Sequence, residues 1–152
     1  MIKHFEVAKV VREKIAKITG ELTTGQLNKI PEGFRNNIAW HIGHIVVSTE
    51  ALCYLRSGVS LEKNIPHIND YQNGSVPKPV IGAEEIQYFL NRLQASLNEI
   101  TADYQKGAFT TFQPYATMTF GIEMTNMETV FEMSAYHDTL HFGHIQAMRK
   151  LV

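Results

Sequence analysis

The chain has 152 residues, with 14 Lys and Arg against 15 Asp and Glu and a formal net charge of −1. That length fits one domain, spanning 1–152, which can bury a core without staples. A lone cysteine excludes an internal disulfide framework, and the near-neutral balance offers no electrostatic case for nucleic acid. Seven histidines against that one cysteine are the feature that asks for a reason.

The N-terminus has no apolar core of the kind a signal peptide carries, and no charge-free stretch approaches the roughly 20 apolar residues of a membrane span. The expectation is a soluble, cytoplasmic protein without membrane or nucleic-acid partners. Four segments carry helical periodicity. In the first, Phe5, Ala8, Val11, Ile15 and Ile18 recur at steps of three and four, and Gly20 ends the run. Lys3, Lys9, Arg12, Lys14 and Lys17 occupy its other faces and read as a solvated surface. Thr23 and Gln26 have capping-box spacing for a short turn before Pro31.

The second helix is expected to start at Asn36, a good N-cap residue, and to run to about Arg56, with Gly58 as a stop. Between Arg35 and Glu50 it carries no Lys, Arg, Asp or Glu, and its apolar residues surround most of the axis. Such a helix is central and buried, so His41 and His44 lie on an element short of water. Residues 57–82 hold three prolines and three glycines and form a long connection. The third helix carries one stripe, Ile86, Phe89, Leu90, Leu93, Leu97 and Ile100. Residues 103–125 form a second connection, in which Met118, Phe120, Ile122 and Met124 alternate with Thr119, Gly121 and Glu123. That alternation predicts a small hairpin or a loop laid over one end of the molecule.

The fourth helix opens with Thr125 and Glu128 at capping-box spacing. Its stripe is Val130, Ser134, His137, His141, His144, Met148 and Leu151, at alternating steps of four and three. This is an a/d seam, and three of its consecutive positions are histidine where apolar residues belong. One short echo links the second and fourth helices: His41-Ile42-Gly43-His44-Ile45 against His141-Phe142-Gly143-His144-Ile145, with both glycines placed to let helices approach.

Histidines four apart lie one above the other on a helix, so the rings of His137 and His141 can reach one ion at the roughly 2.0–2.1 Å of a zinc–nitrogen bond. His44, on the buried helix, is the natural third donor. Three protein ligands leave a position open for water, a thiolate or substrate, as in catalytic metal sites. Single seam histidines are more often hydrogen-bonded core residues. Several in register each have a donor and an acceptor to satisfy, and one cation satisfies several acceptors at once. His137-Asp138-Thr139-Leu140-His141 is a poor H-E-x-x-H, with Asp for Glu and with Ala147 where a metzincin has its third histidine. No glutamate has a histidine three residues on, which argues against a di-iron bundle. Cys53 reads as a core thiol. Asp138 or Glu132 is a candidate to orient a ligand ring, although Asp138 should point away from the seam. Tyr136, Tyr115 and Trp40 are candidates to line a pocket.

The segments Asn37-Ile38-Ala39-Trp40-His41-Ile42-Gly43-His44-Ile45 and His137-Asp138-Thr139-Leu140-His141-Phe142-Gly143-His144-Ile145 resemble the helix-2 and helix-4 motifs of the DinB/YfiT-like superfamily. The resemblance covers most of the chain. It implies an all-α four-helix bundle, up-down-down-up, with one long crossover between helices 2 and 3. By position it makes His44, His137 and His141 the ligands of a divalent metal ion, zinc first, with nickel, iron or manganese as alternatives. His41 stands where the family has an apolar residue and His144 where it has glutamine, so either could enter or support the ligand set. The resemblance further implies a homodimer acting on a small molecule. Some relatives are transferases or isomerases using low-molecular-weight thiols. The expected function is a metal-dependent thiol S-transferase or hydrolase, and the alternative is a non-catalytic metal- or haem-binding bundle. His4 and His67 need no special role.

Overall fold

The computed structural model describes residues 3–152, apart from the side chain of His4. The expectation for His4 therefore lies outside the described residues. Helix α1 spans Lys3–Gly20, the short α2 Thr24–Asn28, α3 Ile38–Glu50, the single turn α4 Ile68–Tyr71, α5 Ala83–Gln105 and α6 Met127–Met148. A two-residue hairpin, β1 Tyr115–Ala116 against β2 Glu123–Met124, interrupts the second connection.

The four long helices form the bundle: α1 packs on α6 and α5, and α3 packs on α5 and α6. Two buried clusters give the direction of each helix. Phe5 and Ala8 from the start of α1 meet Cys53 and Tyr54 beyond α3, Leu97 and Ile100 late in α5, and Val130 and Phe131 early in α6. Ile15 and Ile18 late in α1 meet Ile38 and Ile42 early in α3, Ile86 and Phe89 early in α5, and Ile145 and Met148 late in α6. The topology is thus up-down-down-up, and the crossover between the second and third long helices holds α4. Every member of the α1 stripe is buried, and so are Ile86, Phe89, Leu93, Leu97 and Ile100 of α5.

Local differences from the sequence expectations each have a physical reason. Arg12 is fully buried rather than part of a solvated basic face. Its guanidinium is surrounded by acceptors: Asp138 of α6 at 2.6 Å, the Leu93 carbonyl and Ser96 Oγ of α5 at 2.9 and 3.0 Å, and Thr49 Oγ1 of α3 at 2.6 Å. A face count along α1 registers Arg12 as charged, but not that three other helices supply its partners.

The cap of α3 is Asn37, one residue after the expected Asn36, and its side chain accepts from the Trp40 N–H. α6 is capped by Asn126 rather than Thr125, with Asn126 accepting from Thr129 N–H at 2.9 Å. The Thr23–Gln26 capping box is present. α3 continues to Arg56, as expected, but the last stretch, Ala51–Arg56, is π-helical. The continuous helix Ile38–Arg56 is apolar and long enough to pass for a membrane span, more so than its sequence suggested, and it is mostly buried in the bundle. Gly43 is a close-approach position, since a Cβ there would lie 2.5 Å from the Tyr71 ring. Its echo partner Gly143 faces open space, so only one of the two glycines serves helix packing.

Candidate metal centre

α3 and α6 cross with their histidines facing each other. His44 Nε2 lies 3.2 Å from His137 Nε2, and His141 Nε2 lies 3.1 Å from the same atom. Three ring nitrogens therefore converge on one point, and the three rings are buried. Tetrahedral bonds of about 2.0–2.1 Å to a common zinc ion place neighbouring nitrogens about 3.3 Å apart, close to the spacing observed.

The protonation pattern also fits a cation. His44 Nδ1 is 2.6 Å from the Tyr71 carbonyl, which can only accept, so this nitrogen carries the proton and donates it. His44 Nε2 is then an acceptor lone pair facing His137, with the Ser48 hydroxyl 3.3 Å away as its other polar neighbour. His141 Nδ1 lies 2.7 Å from His41 Nδ1, a hydrogen bond that needs one proton between the two rings. His137 Nδ1 is the one buried side-chain nitrogen or oxygen among the described residues without a hydrogen-bond partner. A neutral His137 can offer one proton through Nε2, to one of two neighbouring nitrogens. A cation at the convergence point would satisfy all three lone pairs together.

Burial keeps the rings neutral. Desolvation pushes His137 down to about 3, with His44 and Arg12 adding repulsion. It lowers His41 to about 3 as well, helped by His144 and His44. His141 is lowered by burial and by its histidine neighbours. His44 is lowered by burial, against the opposing pull of the Tyr71 carbonyl. Neutral imidazoles are the form that binds metal ions.

A cleft of about 610 Å³ opens over the cluster. Its floor is one face of the Ile38–Arg56 helix, with Trp40, His44, Val47, Ala51 and Leu55 at helical spacing. α6 contributes Met133, His137, Leu140, His141 and His144, and residues 116–120 of the hairpin loop close over it. Trp40 stacks on the His44 ring at 4.4 Å and 13°, fixing its plane from the cleft side.

Of the three aromatic residues expected at a pocket, only Trp40 lines the cleft. Tyr136 is half exposed and donates to Glu132, while the Tyr115 hydroxyl donates to the Leu52 carbonyl. Neither proposed orienting carboxylate reaches a ligand ring: Glu132 is engaged by Tyr136, and Asp138 turns away from the seam to Arg12. The groups that do hold the ligand rings are the Tyr71 carbonyl and His41. Tyr71 escaped the sequence reading because its backbone oxygen does the work and it ends the single turn α4, 27 residues away. Cys53 is a buried core thiol, its ionisation pushed up by burial. His67 sits at positive φ at the start of α4, beside Asp70 and Glu85, away from the cluster.

The profile of the DinB superfamily matches residues 8–145, nearly the whole chain, and the protein belongs to that superfamily. No curated protein matches the chain.

Proposed function

Proceeding from that membership, we propose that His44, His137 and His141 hold one divalent metal ion, zinc in the first place, and that the protein uses it on a small molecule as a thiol S-transferase or hydrolase. The observation that supports this reading best is the convergence of three buried Nε2 atoms within 3.1–3.2 Å of their neighbours. A divalent ion bound there would lower the pKa of a thiol or water in its open position and so supply a nucleophile at neutral pH.

The chain's own residues set the conditions for that chemistry. His44 is held by the Tyr71 carbonyl on one side and the Trp40 ring on the other. The tautomer of His141 is set by His41. Val47, Leu52, Leu55 and Met133 give the cleft apolar walls that exclude water from a bound electrophile. Among the described residues no carboxylate lines the cleft, so none of their Asp or Glu side chains is placed to act as a general base.

That last observation also favours a second reading, a metal-binding bundle without catalysis. Haem fits less well: it needs a flat slot with axial ligands on its faces, and these three rings are already in contact.

Elemental analysis of protein purified without chelator tests the proposal. We expect one divalent ion per chain in the wild type and its loss in His44→Ala, His137→Ala and His141→Ala. Unchanged metal content in the three variants would exclude the site. Loaded protein that turns over none of a panel of low-molecular-weight thiols paired with alkyl halides, epoxides and esters would favour the non-catalytic reading.

A further inference from the structure

The cleft has two ends. The histidine cluster lies toward the start of the Ile38–Arg56 helix, and Arg56 lies at its last residue. Among the described residues Arg56 is the only lining side chain with a fixed charge, and no Asp, Glu or Lys faces the space. Among the described residues no carboxylate lies within ion-pair distance of it, although Arg12 and Arg92 are both paired. Its guanidinium is held 5.7 Å from the centre of the Tyr115 ring, and Tyr115 is in turn tied to the helix through the Leu52 carbonyl. An arginine laid on an aromatic face keeps its charge and its outer N–H donors free for a ligand. Between the two ends the floor is mainly apolar, with Val47, Leu52 and Leu55 at its middle and the Ser48 hydroxyl among them.

We propose that this cleft takes an elongated amphipathic molecule, apolar along its body, with a carboxylate at one end that pairs with Arg56. His44 and Arg56 are twelve residues apart on one continuous helix, which sets them about 18 Å apart along the axis at the usual helical rise, less where the π-turn shortens it. A ligand anchored at both ends must therefore be much longer than a simple thiol acid. The electrostatics point the same way. The three imidazoles are neutral and bring no countercharge, so an ion held by them would retain its full positive charge. Both ends of the cleft would then attract anions across a low-dielectric floor. The assignment of the far end rests on the metal reading above, whereas the Arg56 end does not.

Trp40 is the only tryptophan in the chain and lines the cleft, so its fluorescence reports occupancy with or without metal. The experiment titrates undecanoate and undecanol into metal-free protein, and mercaptoundecanoate, mercaptoundecanol and mercaptopropionate into the cobalt-loaded form. Arg56 is exposed, and an ion pair in that setting contributes up to about 1 kcal/mol, or about 5-fold in affinity. We expect each long-chain acid to bind tighter than its alcohol by that factor. Arg56→Gln should abolish the difference while leaving the alcohol's affinity unchanged, and mercaptopropionate should show no dependence on Arg56. Equal affinity of acid and alcohol in the wild type, or a preference that survives in Arg56→Gln, would overturn the proposal. A preference in the metal-free protein, together with no thiol-induced change in the cobalt spectrum, would sustain the Arg56 assignment and sink the metal reading instead.

Discussion

His137 and Asp138 are neighbours on α6, yet their side chains enter two buried polar centres of opposite character. On the Asp138 side, Arg12 reaches α3, α5 and α6 from α1, and every donor of its guanidinium is directed at an oxygen of the protein. On the His137 side, His137 Nε2 lies at hydrogen-bond distance from both His44 Nε2 and His141 Nε2, and a fourth nitrogen, His137 Nδ1, has no partner. The first centre is closed and complete. The second has more lone pairs than protons and a cleft above it. A satisfied buried charge holds helices together, whereas a set of converging unsatisfied acceptors is suited to a ligand.

The sharpest way to break this comparison is to remove one partner from each centre. Removing half of a buried ion pair strands the other charge and costs about 3–5 kcal/mol. Asp138→Ala and Arg12→Leu should each lower the melting temperature by roughly 10 °C or more in a protein of this size. The pair Arg12→Met with Asp138→Leu should recover much of that loss. His137→Leu, measured in chelator, should cost far less, because it removes a polar group that is only partly satisfied. Equal losses from Asp138→Ala and His137→Leu would show that the two centres are not different in kind.

Acidification tests the histidine centre as a whole. His41 and His137 fall from an ordinary value near 6.5 to about 3 in the folded chain. The unfolded chain therefore binds more protons between those values, and stability rises with pH in that window. The metal-free protein should be most stable above about pH 6.5 and should lose stability progressively as the pH falls toward 3. Melting curves in chelator from pH 7 to pH 4 check this, and the slope should be shallower in His137→Leu. A flat profile would mean that the rings are not held neutral by burial.

The histidine centre was legible in the sequence and the Arg12–Asp138 centre was not, and what was missed has a common cause. Periodicity placed the four long helices and the seam, because apolar spacing is a local property of one element. The spacing of His137 and His141, with His44 on a charge-free helix, brought the three ligand candidates together on paper as they meet in space. Arg12 was misplaced because its burial depends on Asp138, Leu93, Ser96 and Thr49, which lie on three other helices. Tyr71 was invisible for a similar reason, since it acts through a carbonyl that every residue has. Asn126 rather than Thr125 caps α6 because two adjacent residues were both competent and only the backbone geometry chooses between them. The pattern of a single element survives in sequence, but the partners an element meets do not.

The echo between α3 and α6 offers a smaller test. At Gly43 a methyl group would lie 2.5 Å from the Tyr71 ring, and the carbonyl of Tyr71 holds His44. Gly43→Ala should cost on the order of 1–3 kcal/mol through forced movement, and should weaken metal binding along with stability. Gly143 has open space around it. Gly143→Ala should stabilise α6 by about 0.5–1 kcal/mol through helix propensity and leave metal binding unchanged. Metal affinity that is the same in both variants would break the link between Tyr71 and the site.

The finest distinction concerns His41, which touches the open centre without being one of its three converging nitrogens. Its Nδ1 lies 2.7 Å from His141 Nδ1, shorter than the separation of about 3.3 Å expected for two nitrogens on one tetrahedral ion, and suited to a hydrogen bond. With His141 Nε2 turned to the cluster, the shared proton belongs on His141 Nδ1 and is donated to His41. His41 is then a positioning residue that fixes the tautomer and plane of a ligand. Losing such a partner lowers metal affinity by about 10- to 100-fold without changing the stoichiometry. His41→Phe should therefore still bind one ion per chain, more weakly and with faster release to chelator, while His141→Ala binds none. His41→Asn, whose side-chain oxygen can accept the same proton, should recover part of the affinity. If His41→Phe instead abolishes binding, His41 is itself a ligand, and the boundary between the three converging rings and the groups that orient them moves by one residue.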